Sequence, residues 1–233
     1  MKFSCIVPAF NEAARIENVV RTLLLCPDLH EIVVVDDCST DATWEVLNRL
    51  EHPKLRKIRH EKNSGKTRAV FTGIRESSGE YVVTIDSDLL NLKPEHVRDL
   101  IAPIRLGTAD VTLSIRENSL GIYKLLRNDF VSGERAVPRA VLAEEGYYLS
   151  GPGFGLEVKM NEKIIAAKYR VKSVRFPGVI TPRKSDKYGF VAGTVADMKM
   201  VGEILSVLPA WRLGYQLWYF YRQNAYLNNF PTK

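Results

Sequence analysis

Two aspartates spaced two residues apart, Asp86 and Asp88 in "YVVTIDSD", have the clearest chemical use in this 233-residue chain. They close an apolar run that reads as a buried strand, and residues i and i+2 of a strand point to the same face. Two carboxylates converging there repel unless a cation lies between them. A hard divalent ion whose shell is completed by substrate phosphates suits such a pair, with a structural acidic turn as the alternative. Three further polar clusters follow earlier β-rich runs: Pro8, Phe10, Asn11 and Glu12; Asp36, Asp37, Ser39 and Asp41; and Asn63, Gly65, Lys66 and Arg68. Ligands of open α/β sheets bind beyond the carboxyl ends of the strands, so these clusters are expected along one rim.

Lys66 stands in "NSGKT", which has the tail of a nucleotide-binding P-loop. The leading glycine of that loop is missing, because His60 occupies its place. That glycine's backbone makes the tight turn whose N–H groups wrap the phosphates, so an ATPase or GTPase reading is disfavoured.

The elements that must position these residues alternate. Strands are expected at "KFSCIVP", "EIVVVD", "KLRKIRH", "EYVVTIDSD" and "ADVTLSI". Helices are expected between them: over about 12–25, over "STDATWEVLNRLE", over about 66–76 and from near Pro94. This alternation predicts an α/β fold with a mostly parallel central sheet covered by helices on both faces. Beyond residue 116 the segment 119–146 reads as largely helical. A break at "LSGPGFG", a helix over about 157–167, a strand at "YRVKSVRF" and a helical tail over 194–229 follow. No linker composition intervenes, so 1–233 reads as one domain. Its parts are a nucleotide-binding half (1–115), an acceptor-side half (116–193) and a helical, aromatic-rich tail (194–233).

Hydrophobic residues at 45% and charged residues at 26% suit a soluble globular protein. No apolar run reaches membrane-spanning length and no signal peptide is recognised. Cys5, Cys26 and Cys38 read as reduced thiols, so a cytoplasmic location is expected. The net charge of +6 is concentrated in residues 151–233, where thirteen Lys and Arg face five Asp and Glu. That excess suggests an anionic partner such as phosphates or acidic lipid headgroups.

The segments "IVPAFNE", "VVVDDCSTDAT", "NSGKTRAV" and "YVVTIDSD", in this order and spacing, resemble glycosyltransferase family 2, whose members have the GT-A fold. The resemblance implies that Pro8, Phe10 and Glu12 line a nucleotide site and that Asp37 reads the base or ribose. It implies that Asp86 and Asp88 hold Mg²⁺ or Mn²⁺ on a sugar-nucleotide diphosphate. Lys66 matches the lysine of the family's N-x-G-K-G motif, at a helix N-terminus suited to anions; Thr67 stands in place of its second glycine.

The stretch "NDFVSGERAVPRAVL" is similar to the D-x-x-S-G-F-R region of polyprenyl-phosphate sugar transferases of the dolichol-phosphate mannose synthase type. Asp129, Ser132, Gly133 and Arg135 match, while Glu134 replaces the usual phenylalanine. Arg116, Glu157 and Arg183 also fall at matching places. The closing R-x-x-G-x-S-K motif is represented by "RKSDK", two residues shorter between its ends, with Lys187 last. The expected reaction is an inverting transfer from a nucleotide-sugar donor, GDP-mannose or UDP-glucose, to a polyprenyl phosphate. Arg116, Arg135 and Arg183 would clamp phosphates, and Asp88 would be central to catalysis.

Alternative readings are a glycan or other hydroxyl acceptor, for which Glu157 and then Asp129 would be candidate bases, and a non-catalytic sugar-nucleotide-binding protein. A nucleotidylyltransferase is disfavoured because "PAFNEAAR" lacks the glycine-rich loop of that class. The tail "LPAWRLGYQLWYFYRQNAYLNNF" holds eight aromatics, with Arg212 and Arg222 among them. It suits either core packing or peripheral contact with the inner face of a membrane. No nucleic-acid partner is expected.

Overall fold

The computed structural model describes residues 1–119, 124–125, 128–150, 155–182 and 209–228. Among the described residues seven strands form one sheet: β1 (Phe3–Ala9), β2 (Glu31–Asp36), β3 (Leu55–Arg59), β4 (Tyr81–Thr84), β5 (Val111–Arg116), β6 (Arg135–Pro138) and β7 (Val171–Phe176). Their order is β3-β2-β1-β4-β6-β5-β7. All pairings are parallel except those of β6, which runs antiparallel to both β4 and β5. The helices are α1 (Ile16–Leu24), α2 (Thr43–Asn48), α3 (Lys66–Arg75), α4 (Pro94–Arg105), α5 (Glu145–Leu149), α6 (Leu156–Ala166) and α7 (Ala210–Asn228).

Strand alternation divides the core into two layers. Cys5, Val7, Ile32 and Val34 face α1, α2 and α4, meeting Val20, Leu23, Leu47 and Leu100. Ile6, Val33 and Val35 face the other way, onto Val70, Phe71 and Ile74 of α3. Ile164 of α6 and Phe220 of α7 extend that second layer. Apolar residues on both faces are what a parallel sheet covered by helices requires, since each strand buries both of its sides. Each such aliphatic side chain contributes about 1.5–3 kcal/mol by leaving water.

Two expectations are corrected. The described part of the segment 119–146 is not largely helical: apart from residues 124–125 it contains β6, a 3-10 turn at Arg139–Leu142 and only the start of the short α5. Four residues are too few to show a period, and β6 opens with an arginine, which does not read as a buried position. Asp86 and Asp88 also lie off the strand, because β4 ends at Thr84 and both acids sit in the turn beyond it. Strand alternation therefore does not account for their convergence.

The tail is helical where it is described, over α7. It packs one face on α6 and β7 through Phe220 and Gln216, both buried. Trp211, Tyr215 and Trp218 are exposed on its other side.

Candidate active site

A cleft of about 490 Å³ opens at the carboxyl ends of β1, β2 and β4, between α3 and the start of α6. From the nucleotide-binding half, Pro8, Phe10, Glu12, Asp37, Lys66, Asp86 and Asp88 line it; from the acceptor-side half come Arg116, Gly133, Glu157 and Thr181. Each side chain arrives from the end of an element, where the chain leaves the sheet and polar groups can face a ligand rather than a neighbouring strand.

Lys66 begins α3 after Gly65, whose φ of 88° favours glycine. Its ammonium lies 2.8 Å from Asp86 Oδ1 and 3.0 Å from Glu157 Oε1. Desolvation opposes the charge on Lys66, but Asp86 and Glu157 outweigh it and hold the group protonated above its ordinary value. Burial likewise pushes the Asp86 carboxyl up; Lys66, assisted by Arg116, overcomes this and holds it below the usual carboxylate range. The same lysine therefore ties the two halves of the cleft together.

Beneath Asp86 lies a second acid. Glu134 is fully buried, accepting hydrogen bonds from Ser114 Oγ at 2.6 Å, Ser132 Oγ at 2.9 Å and Arg116 Nη1 at 3.1 Å. Burial raises its pKa; Arg116 opposes and the charge of Asp86 adds to the rise, leaving the carboxyl above its ordinary value. Arg116 also donates to Thr181 Oγ1 at 3.0 Å, and its Nη2 lies 3.8 Å from Asp129 Oδ2. Burial disfavours the charge on this guanidinium, but Glu134, Asp86 and Asp129 reverse that and raise its pKa.

Other residues are placed differently from their expected use. Arg135 has no exposed surface. Its guanidinium donates to the carbonyls of Ser132, Phe130 and Glu157 and to Asn161 Oδ1. In this arrangement it braces β6 against α6 and does not line the cleft. Asp129 is buried, accepts from Ser119 Oγ at 2.7 Å, and has its pKa raised by burial against the pull of Arg116.

Asp37 lines the cleft, but both its oxygens are engaged by the loop that precedes α3. Oδ1 accepts from Ser64 N–H at 2.9 Å and lies 2.7 Å from His60 Nδ1; Oδ2 accepts from Gly65 N–H at 2.7 Å. Glu12 is buried, its carboxylate lies 3.0 Å from Arg15 Nη1, and its backbone N–H donates to Thr43 Oγ1 at 2.8 Å. Arg183 and Lys187 lie outside the described residues.

Sequence reasoning did not identify the partners that hold these groups. His60 drew notice only for breaking a P-loop pattern, yet it orients Asp37 across twenty-three residues of chain. Glu134 stood out as a departure from phenylalanine, with no signal that it would lie under Arg116. Contacts of that range leave no mark in local spacing.

Asp86 and Asp88 supply hard oxygen donors on one cleft wall, a set that fits Mg²⁺ or Mn²⁺ completed by phosphate and water oxygens. Among the described residues, no group of three or more His, Cys, Asp or Glu is arranged to hold a metal ion alone.

The family model described as "Glycosyl transferase family 2" matches residues 4–165. A dolichol-phosphate mannosyltransferase from Pyrococcus furiosus is 38% identical over 125 residues, covering 50% of this chain and 33% of that protein. A dodecaprenyl-phosphate galacturonate synthase from Rhizobium johnstonii is 30% identical over 125 residues, covering 51% and 37%. The chain thus spans about a third of the length of the curated relatives it matches. Among solved structures, glucosyl-3-phosphoglycerate synthase from Mycobacterium tuberculosis, in complex with Mn²⁺, UDP-glucose and phosphoglyceric acid, superposes with a TM-score of 0.67 at 23% identity. The match covers 88% of this chain and 79% of that one. The same synthase in complex with Mg²⁺ and UDP gives a TM-score of 0.63 at 23% identity, covering 84% and 78%. These likenesses establish the GT-A fold.

Proposed function

Because this chain belongs to glycosyltransferase family 2, we propose that it transfers a sugar, with inversion, from a nucleoside-diphosphate donor to a polyprenyl phosphate. The observation that carries this reading is the cleft in which Asp86, Asp88, Lys66 and Arg116 face one another at the ends of the strands. Two relatives named for lipid-phosphate sugar chemistry support the acceptor class.

The transfer is one in-line displacement. An acceptor phosphate oxygen forms a bond to the anomeric carbon, and the bond from that carbon to the donor diphosphate breaks. The electron pair of the broken bond leaves with the nucleoside diphosphate. Asp86 and Asp88 would hold Mg²⁺ or Mn²⁺, which supplies charge neutralisation to the departing diphosphate. Pro8, Phe10 and Glu12 would form the nucleotide wall, and Asp37 would hold the loop beside it.

Lys66 and Arg116 place fixed positive charge where negative charge develops, which lowers the barrier without reorganisation at the moment of reaction. Outside the described residues, Arg183 and Lys187 remain candidates for further phosphate contacts. A phosphate monoester has a second pKa of about 6 and is already ionised at neutral pH. No general base is then required, which agrees with Glu157 being engaged by Lys66. Burial of Asp129 likewise disfavours its charged form.

A lipid acceptor also gives α7 a purpose. Trp211 and Trp218 are 69% and 49% exposed, with Arg212 and Arg222 stacked over their rings at 5.3 and 5.1 Å. Amphipathic rings and arginines suit the headgroup layer of a membrane, so α7 would rest on the lipid surface at the cytoplasmic face. Among the described residues, no helix is long and apolar enough to cross a membrane.

The test is a donor panel. GDP-mannose, UDP-glucose and UDP-N-acetylglucosamine are each supplied with Mg²⁺ or Mn²⁺ and a short polyprenyl phosphate, and nucleoside diphosphate release is followed. Acceptor-dependent release from one donor is expected, falling at least ~100-fold in Asp88→Ala because metal-assisted charge stabilisation is worth several kcal/mol. Release that ignores the lipid but needs a hydroxyl acceptor, and that falls in Glu157→Gln, would replace this reading with the hydroxyl-acceptor reaction.

A further inference from the structure

Lys66 makes two ion pairs with groups from opposite sides of the cleft. Its Nζ lies 2.8 Å from Asp86 Oδ1 and 3.0 Å from Glu157 Oε1. Asp86 belongs to the turn after β4 and Glu157 to the first turn of α6, while Lys66 opens α3. A divalent ion held by Asp86 would meet this ammonium at the same carboxylate. Two cations on one carboxylate repel, so they compete unless one of them gains another anion.

The backbone is built to let the side chain move while the loop stays in place. Asp37 takes the N–H groups of both Ser64 and Gly65, fixing the start of α3. Beyond that anchor the lysine has a flexible four-carbon stem carrying a compact point charge, and its side chain is 37% exposed. Besides Glu157, which it already holds at 3.0 Å, the anion that would come within its reach is the diphosphate of a donor bound in the same cleft. Lys66 also starts a helix of ten residues, whose N-terminal dipole favours anions.

We infer that Lys66 is a built-in competitor for the divalent ion at Asp86, drawn off by the donor diphosphate, so that metal and nucleotide bind as a coupled pair. Glu157 acts here as the second anchor of the ammonium. The inference rests on the donor and metal reading above and assigns a binding order to that same site. Free metal is held weakly, and the diphosphate moves Lys66 away and raises the affinity of Asp86 for the ion. By reciprocity, metal raises nucleotide affinity by the same factor.

The experiment is Mn²⁺ binding followed by the electron paramagnetic resonance of the free ion, on the whole chain, with and without UDP or GDP. Wild type is expected to bind Mn²⁺ about tenfold more tightly with the matching diphosphate, within the usual range of coupling between sites. Lys66→Met is expected to bind Mn²⁺ about fivefold more tightly than wild type without nucleotide, and to show a coupling reduced by a similar factor. Lys66→Arg, which keeps the charge, stays at or below the wild-type affinity. Arg68→Gln removes an exposed charge two residues away and serves as the control for general electrostatics, moving the affinity less than ~2-fold.

If Lys66→Met leaves the nucleotide-free Mn²⁺ affinity unchanged or lowers it while wild type still couples metal to diphosphate, Lys66 is a static brace. The inference then falls and the donor-site reading stands. If wild type takes up no Mn²⁺ with either diphosphate, the donor-site reading itself falls and the inference goes with it. Should Lys66→Met not fold, a Lys66→Arg protein that binds free Mn²⁺ more tightly than wild type would overturn the competition.

Discussion

A methyl group at position 133 would come within 2.6 Å of Asp86 Oδ2 and 2.9 Å of Oδ1. Gly133 is therefore the residue that lets the Asp86 carboxylate come close to the chain just before β6, and its carbonyl also accepts from Thr84 Oγ1 at 2.6 Å. Gly133→Ala is expected to push Asp86 away from its position beside Lys66. A misplacement near 1 Å can cost ~10²-fold in rate, so turnover should fall by about that factor. Thermal melting should move little, which separates misplacement from unfolding. At this scale the chemistry was partly legible: Asp86, Asp88 and Lys66 were marked by type and spacing alone. Their arrangement was not, because Asp86 is held by partners at positions 66, 116 and 134, which local spacing cannot relate.

The element that carries Lys66 is pressed onto β1. A Cβ at Gly73 of α3 would meet Ile6 Cγ2 at 2.5 Å and Val35 Cγ2 at 3.4 Å. The Ile6 methyl sits on a β-branched side chain that cannot rotate freely out of the way. Gly73→Ala gains up to ~1 kcal/mol of helix propensity, but overpacking a filled core costs about 1–3 kcal/mol. The net expectation is a loss of about 1 kcal/mol, seen as a lower urea midpoint at unchanged slope. If the variant proves more stable, α3 is not seated as tightly as the geometry requires. Elements with clear periods, such as α1 and α4, could be read from their apolar spacing. The four-residue β6 could not, since its opening residue, Arg135, is buried only because carbonyls and Asn161 satisfy its guanidinium.

At the scale of the whole molecule, the sheet runs unbroken from β3 to β7 and joins the two halves through β4 and β6. One cooperative calorimetric transition is therefore expected, consistent with a single domain over 1–233. Two resolved transitions would divide it. The outer surface of α7 supplies a separate test. Wild type should co-sediment with vesicles containing phosphatidylglycerol, less so at high salt because exposed charges are screened. The Trp211→Ala, Trp218→Ala double variant should remain in solution while retaining its fold, since Phe220 and Gln216 hold the buried face. Equal sedimentation of both proteins would remove α7 from the membrane contact.

The sequence alone determined the alternating α/β architecture, because strands buried on both faces must be apolar throughout and helices must be apolar on one side. It also determined which acids and bases follow the strand ends, because ligands of such sheets collect there. Only the tertiary structure decided what those groups do to one another. It placed Glu134 under Arg116, turned Arg135 into the interior, engaged Asp37 with its own loop and set Lys66 between Asp86 and Glu157. Charge interactions act through space between residues far apart in the chain. Their strength depends on distance and burial, and neither exists until the chain has folded.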